Sequence, residues 1–262
     1  MSRGRGHFRL LRILILLLVL FMVAMGSLLD KLRSTDWDRP LLVVLYPING
    51  DGSAAAGDAV AGLRVEDFHA IETFFAEEAA HYGLPLKEPV DIALGPVLNE
   101  QPPVPPHERS VPAVMWWSLK MRYWAWRVTD GNGPSADIRM FLLYYDPALQ
   151  PRLPHSLGLQ KGLLGVANVF ASRRQREANN VVIAHEILHT VGATDKYDPR
   201  DNRPLFPAGY AEPGRSPRLP QVYAEIMAGR IPVSETRTID AEGLDQAVIG
   251  EATAREIRWL AD

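Results

Sequence analysis

Cysteine is absent from this sequence of 262 residues. Disulfide bonds and thiolate zinc sites of the finger type are therefore excluded, and any zinc ion must be held by His, Asp or Glu side chains. A strong charge of either sign is also lacking, because 28 Lys and Arg stand against 31 Asp and Glu and leave a formal net charge of −3. No basic domain suited to nucleic acid is indicated, so we expect no nucleic-acid partner.

Charged side chains are missing altogether from residues 13–29, a hydrophobic run near the N-terminus. Together with Leu10 and Leu11, on the other side of Arg12, the run reaches the length of about 20 residues that spans a bilayer. Arginines precede the run and Asp30 follows it, so the positive-inside rule predicts a cytoplasmic N-terminus and an outward-facing remainder.

These features predict four parts of the chain. A basic cytoplasmic N-terminus occupies 1–9, a single-pass membrane anchor 10–29, a linker 30–39 and one folded domain 40–262, on the periplasmic or extracellular side. A signal peptide cleaved near 24–26 is the alternative for the hydrophobic segment, because the residues there follow a small-x-small pattern. Hydrophobic residues make up 47% of the chain, which suits one globular domain with an appendage.

The segment 181–198 contains the pattern His-Glu-x-x-His within an apolar run that should be helical. A helix turns once in 3.6 residues, so His185 and His189 project from one face and can bind one metal ion together. Glu186 lies beside that face, where its carboxylate can take a proton from a water that the ion activates. A lone histidine on an apolar helix is usually a core residue, but this pair with its glutamate favours a zinc site.

A third ligand is expected just after the helix. Gly192 tolerates the left-handed conformation in which helices often end, and such an end would turn the chain back towards the metal. Asp195 could then supply an oxygen ligand and complete a set of three protein ligands. Other acidic residues remain open as alternatives for this third position: Asp198, Asp201, Glu212 and Glu225.

The residues His185-Glu186-x-x-His189-x-x-Gly192-x-x-Asp195 resemble the long zinc signature of the metzincin metallopeptidases, with Asp in place of the usual third His, as in the snapalysin-like branch. The segment 224–229 is similar to that family's Met-turn, in which a methionine, here Met227, lies beneath the metal. The resemblance implies an α+β domain with a small twisted mixed sheet, a long active-site helix and a C-terminal helix after the Met-turn.

Several further elements are predicted between the hydrophobic run and the C-terminus. Apolar runs at 41–46, 90–98 and 138–145 predict strands, and three- and four-residue apolar spacing predicts a helix over 64–82 that ends at Gly83. We favour a helix at 115–128, where Pro112 suits the start. The Pro- and Gly-rich segment 196–221 predicts a loop, and 251–260 a short final helix. By resemblance, the sheet edge that binds a substrate peptide falls on 138–145 or 163–170.

The function that these patterns predict is a membrane-tethered endopeptidase with one zinc ion per chain and peptide or protein substrates. Glu186 is its general base. Two alternatives stay open: a non-catalytic, zinc-stabilised binding module of similar fold, and a gluzincin-type peptidase with a distant Glu ligand. The tyrosine that follows the Met-turn in some metzincins has no counterpart after Met227, so only Tyr197 and Tyr210 are candidates for that role.

Overall fold

The computed structural model describes residues 35–106, 108, 110–131, 136–160 and 162–261, together with residues 12, 14, 17, 18 and 21. Within this part of the chain, no helix is both long enough and apolar enough to cross a membrane. The predicted anchor at 10–29 lies outside the described residues except for the five isolated positions.

A five-stranded sheet forms the centre of the domain. Its strands are β1 (Leu41–Asn49), β2 (Val90–Leu94), β3 (Ile138–Tyr145), β4 (Leu157–Leu159) and β5 (Leu164–Phe170). In space they follow the order β2-β1-β3-β5-β4. The first four in this order run parallel, and β4 is antiparallel to β5. The prediction of a mixed helix–strand fold around a small mixed sheet is therefore confirmed.

Helices cover both faces of the sheet. They are α1 (Ala54–Ala61), α2 (His69–His81), α3 (Val111–Thr129), α4 (Arg176–Thr190) and α5 (Glu251–Glu256). Because strand side chains alternate between faces, Val43 and Leu45 of β1 share a core with α1, α2 and α4. Val44 and Tyr46 point the other way and pack with α3. The helix that carries His185 and His189, α4, thus lies on the opposite face from α3.

Most of the predicted elements are confirmed, with shifted ends. The strand at 138–145 has the predicted bounds, and α3 starts four residues earlier than predicted, with Pro112 in its first turn. The helix predicted over 64–82 starts as a 3-10 turn, Val65–Phe68, and α2 ends before Gly83, which has φ +71°. The final helix is shorter than predicted, because α5 ends at Glu256.

All strands after α4 are short. A two-residue pair, β6 (Tyr197–Asp198) and β7 (Arg203–Pro204), opens the Pro- and Gly-rich loop, which is otherwise irregular as predicted. Four more short strands follow the loop: β8 (Ala224–Glu225), β9 (Arg230–Pro232), β10 (Thr238–Asp240) and β11 (Ala247–Val248).

The prediction for the substrate-binding edge of the sheet is wrong for both strands considered. β3 lies between β1 and β5, and β5 lies between β3 and β4, so neither has a free edge. The edge next to α4 is formed by β4, a three-residue strand that the sequence did not indicate. The physical reason is that β3 and β5 are apolar on both sides, which is typical of parallel strands covered on two faces.

Candidate metal centre

The position of α4 is fixed by its apolar face and by a buried amide side chain. Ile183, Ala184 and Ile187 belong to the core beneath the sheet. Asn179 accepts a hydrogen bond from the backbone N–H of Phe170 (3.0 Å) and donates one to the carbonyl of the same residue (2.9 Å). The start of the helix is thereby tied to the end of β5, because an amide at this place satisfies both backbone groups.

The two histidines of α4 present the same ring nitrogen to one point in space. His185 Nδ1 donates a hydrogen bond to the carbonyl of Ile226 (3.0 Å), and His189 Nδ1 donates one to the carbonyl of Ala193 (2.9 Å). A carbonyl oxygen can only accept, so each neutral imidazole carries its lone pair on Nε2. Such hydrogen bonds on the far nitrogen orient histidines that bind metals.

Asp195 completes the group, as the sequence predicts. Gly192 has φ +111°, and the N–H groups of Gly192 and Ala193 close the last turn of α4 on the carbonyls of His189 (3.2 Å) and Leu188 (3.0 Å). The chain then turns back so that Asp195 Oδ1 lies 3.3 Å from Nε2 of His185 and 3.1 Å from Nε2 of His189.

These distances fit a metal ion. Two lone-pair nitrogens and a carboxylate oxygen would repel one another at this range, so either protons on the imidazoles or a metal cation must lie between them. In a tetrahedral site with bonds of about 2.0–2.1 Å, ligand atoms lie about 3.3–3.4 Å apart, close to the separations observed here. The Asp195 side chain is 44% exposed, so the group is open to solvent on that side.

The electrostatics of His185 and Asp195 point in the same direction. Burial disfavours an imidazolium at His185, but the hydrogen bond with Asp195 and the nearby carboxylates outweigh it and raise the pKa of His185. Burial alone would raise the pKa of Asp195. The two imidazoles lower this pKa by more than burial raises it, so the carboxyl stays ionised. The site therefore favours positive charge.

The other acidic residues considered as third ligand have partners elsewhere. Glu225 is fully buried and accepts hydrogen bonds from the Thr253 hydroxyl (2.6 Å) and from the N–H groups of Gly250 (3.2 Å) and Ala228 (3.0 Å). The remaining three each pair with an arginine two or three residues further on: Asp198 with Arg200, Asp201 with Arg203, and Glu212 with Arg215.

Glu186 lies beside the three converging side chains and is 5% exposed. Its Oε2 atom is buried and has no hydrogen-bond partner among the described residues. Burial raises the pKa of the Glu186 carboxyl, and the positive charges of the two histidines offset part of the rise. A buried carboxylate oxygen without a hydrogen-bond partner lowers the stability of the fold. Stability therefore does not explain why Glu186 is at this position.

Met227 lies in a tight turn within the segment 224–229, where the sequence predicts a Met-turn. Its side chain is fully buried, and the turn closes through N–H groups of Ala228 and Gly229 on the carbonyl of Glu225 (2.9 and 3.0 Å). The carbonyl of Ile226, in the same turn, is the acceptor for His185 Nδ1. The turn therefore orients one of the two histidines.

The loop with Asp195 is held by an ion pair that no sequence pattern indicated. Lys196 is buried and donates to Glu256 Oε2 in α5 (2.7 Å) and to the carbonyl of Thr194 (2.8 Å). Glu256 also accepts hydrogen bonds from the Thr194 N–H (2.8 Å) and hydroxyl (2.7 Å). The residues on both sides of Asp195 are thereby fixed to the C-terminal helix.

Tyr197 and Tyr210, the two tyrosines considered from the sequence, lie in different places. Burial raises the pKa of the Tyr197 phenol, and the charges of Asp195 and Glu186 add to the rise, which places this ring near both carboxylates. Tyr210 instead lines a cavity of about 620 Å³ together with Glu78 and Tyr82. Of these two tyrosines, only Tyr197 therefore belongs to the surroundings of the candidate metal site.

In the part of the chain that the structure describes, His185, His189 and Asp195 are the one group of three or more His, Asp or Glu residues whose donor atoms converge, all within 4.8 Å. This group could hold a metal ion, and Glu186 lies beside it. The sequence matches no model of a known protein family and no curated protein.

Proposed function

We propose that this protein is a zinc-dependent endopeptidase in which His185, His189 and Asp195 hold the ion and Glu186 is the general base. The observation that carries the proposal is the buried, unpartnered Oε2 of Glu186 beside three converging donor atoms. A site that only stabilised the fold with zinc would not need this carboxylate, whereas hydrolysis needs a proton acceptor next to the ion.

Zinc is an ion that suits these ligands. Two imidazoles and one carboxylate are the donor set of catalytic zinc sites, which leave a further position open. They would give the site a net charge of about +1. A zinc ion bound there would supply a Lewis acid that polarises a carbonyl and makes water acidic enough to react near neutral pH.

Glu186 is placed to move protons in such a reaction. Its free oxygen can accept a proton from the attacking water, and the protonated carboxyl can then donate that proton to the leaving amine. A general acid–base group works best when its pKa is near the working pH, and burial raises the pKa of the Glu186 carboxyl in that direction in the metal-free protein.

The edge strand β4 offers a place for a peptide substrate. Its side away from β5 carries no further strand of the described sheet, and an extended peptide can pair with such an edge through backbone hydrogen bonds. Gly158 of β4 lies against Glu186, since a Cβ built there would be 3.2 Å from Glu186 Oε2. A peptide bound at this edge would therefore lie beside the proposed base.

The sequential order of elements supports a metzincin-type fold. A parallel sheet with one antiparallel edge strand is followed by the histidine helix, the turn at Met227 and a final helix. The proposal includes the N-terminal hydrophobic segment as a membrane anchor, with the domain on the outer side of the membrane.

The test uses purified full-length protein and an unfolded, fluorescently labelled protein as substrate. Zinc content is measured by elemental analysis, and cleavage is compared for wild type, Glu186→Gln and Glu177→Gln. Glu177 is an exposed residue in the first turn of the same helix and serves as the matched control. We expect one zinc per chain in all three proteins and a loss of about 10²–10⁴-fold in activity for Glu186→Gln alone.

Two results would contradict the proposal. Equal cleavage by wild type and Glu186→Gln would show that Glu186 is not the general base. Zinc binding without any cleavage by the wild type would favour the non-catalytic binding module.

A further inference from the structure

Helix α3 exposes an apolar face to the outside of the domain. Trp116, Tyr123 and Trp126 are 61%, 62% and 57% exposed. The same helix exposes four more apolar side chains: Val111, Val114, Met115 and Leu119. A soluble monomer rarely exposes so many large apolar groups in one place, so this face is expected to be covered by something.

The exposed face is separate from the one that packs on the sheet. Trp117, Met121 and Trp124 are buried against the strands and account for one side of the helix. Residues 116, 119, 123 and 126 follow one another at steps of three and four and form a stripe on another side. The core of the domain therefore does not explain the second stripe.

The polar residues of α3 indicate what covers the stripe. The helix contains Lys120, Arg122 and Arg127 and no acidic residue. The Lys120 ammonium group lies 5.5 Å from the centre of the exposed Trp116 ring, and Arg127 pairs with Glu100 outside the helix. Trp and Tyr beside basic residues on one helix is the composition that prefers a membrane surface, with rings among headgroups and cations near anionic lipid.

The chain itself brings a bilayer within reach. The uncharged run of residues 13–29 ends six residues before Thr35, where the continuously described part begins. A fully extended chain spans at most about 3.5 Å per residue, so a run inserted in a bilayer would hold Thr35 within about 20 Å of the surface. A bilayer held at that distance would be within reach of the domain that carries α3.

We propose that the exposed stripe of α3 lies in the headgroup region of a phospholipid bilayer and fixes the orientation of the domain. Since α4 lies on the other face of the sheet, the metal site then points away from the lipid. The surface does not depend on the peptidase activity. If the proposed function is correct, the substrates are peptides or proteins of the aqueous phase rather than membrane-embedded segments.

The absence of cysteine allows a direct test with single spin labels. Leu119→Cys places a nitroxide in the stripe, and Trp126→Cys gives a second position in it. Val65→Cys is the matched control, an apolar residue 39% exposed on the 3-10 turn before α2, on the side of the sheet away from α3. Full-length proteins are reconstituted in liposomes of phosphatidylcholine and phosphatidylglycerol, and collisions with oxygen and with a water-soluble nickel complex are measured by electron paramagnetic resonance.

We expect the labels at 119 and 126 to collide more with oxygen than with nickel, and the label at 65 to show the reverse. Equal access of nickel to 119 and 65 would place the stripe in water and overturn the proposal. Protection of 119 from both reagents would show a protein cover instead, and spin–spin broadening would identify a second copy as that cover. None of these outcomes depends on cleavage, so the test stands whether or not the protein is a peptidase.

Discussion

Gly158 of β4 and His189 of α4 are so close that a Cβ atom built on Gly158 would lie 2.3 Å from Cβ of His189. The same Cβ would lie 2.8 Å from the carbonyl oxygen of Glu186. The edge strand thus rests directly on the turn of the helix that carries a proposed metal ligand and the proposed base. A larger residue at position 158 cannot be accommodated unless β4 moves relative to α4.

Gly158→Ala tests this contact. We expect β4 to move away from α4, with a loss of about 1–3 kcal/mol in the free energy of unfolding and reduced cleavage. Thermal unfolding and peptide kinetics measure the two effects. Gly214→Ala is the control, since a Cβ there meets nothing within 4 Å, and it should change neither. Identical behaviour of the two variants would show that β4 is free to shift.

Tyr197→Phe tests the phenol near the site. If Tyr197 donates a hydrogen bond to the oxyanion of the reaction, kcat should fall by about 10²-fold while KM changes little. Tyr210→Phe removes the hydroxyl that lies in the separate cavity and should leave both constants unchanged. A larger effect of Tyr210→Phe would reverse the assignment.

Lys196 and Glu256 form a pair whose coupling can be measured. Each of Lys196→Met and Glu256→Gln should cost about 1–3 kcal/mol, because it leaves a partner unsatisfied. The double variant should cost less than the sum, with a coupling of about 0.5–3 kcal/mol in urea unfolding. Zinc affinity should also weaken by about 10–100-fold, since the pair holds the residues beside Asp195.

The control for this cycle is the exposed pair Arg215 and Glu212, which is expected to couple by less than about 1 kcal/mol. Additive effects at Lys196 and Glu256 would mean that the buried pair does not act as a unit.

Zinc affinity should depend on pH through His185, whose pKa in the metal-free protein is raised above its ordinary value of 6.5. Protons then compete with zinc from a higher pH than for a free histidine, and affinity should fall by up to about tenfold per pH unit for each protonated ligand. The folding stability of the metal-free protein depends on pH in the opposite direction. The stability from imidazolium–Asp195 pairing is full below pH 6.5 and is lost as pH rises through the raised pKa.

Chelator competition across a pH series measures the first effect, and urea unfolding of the metal-free protein the second. In Asp195→Asn the onset of proton competition should move to lower pH, because the main group that raises the pKa of His185 is gone. An unchanged onset would exclude the proposed coupling.

The sequence was informative where the structure depends on local geometry. The spacing of His185 and His189, the left-handed Gly192 and the return of Asp195 all follow from helix periodicity and from one glycine, within eleven residues. The turn at Met227 was found through a resemblance and not through any rule of composition. Long-range relations were not accessible in this way.

Two examples show why. Lys196 and Glu256 are 60 residues apart, and nothing in the sequence distinguishes either of them from an ordinary charged surface residue. The edge strand β4 has three residues, Leu-Gly-Leu, with no pattern to distinguish it from a loop. Its place is decided by β5 beside it and α4 beneath it, and the close approach at Gly158 becomes visible only when both are in position.

X-ray absorption at the zinc edge tests the central claim most directly. Full-length protein loaded with one zinc per chain should show two imidazole nitrogens at about 2.0–2.1 Å and oxygen ligands at about 2.0–2.2 Å. Asp195→Ala should lower zinc affinity by orders of magnitude, and Asp198→Ala should leave both affinity and spectrum unchanged. A wild-type spectrum without two imidazoles, or an Asp195→Ala protein that binds zinc as tightly as the wild type, would contradict the assignment of His185, His189 and Asp195 as the metal site.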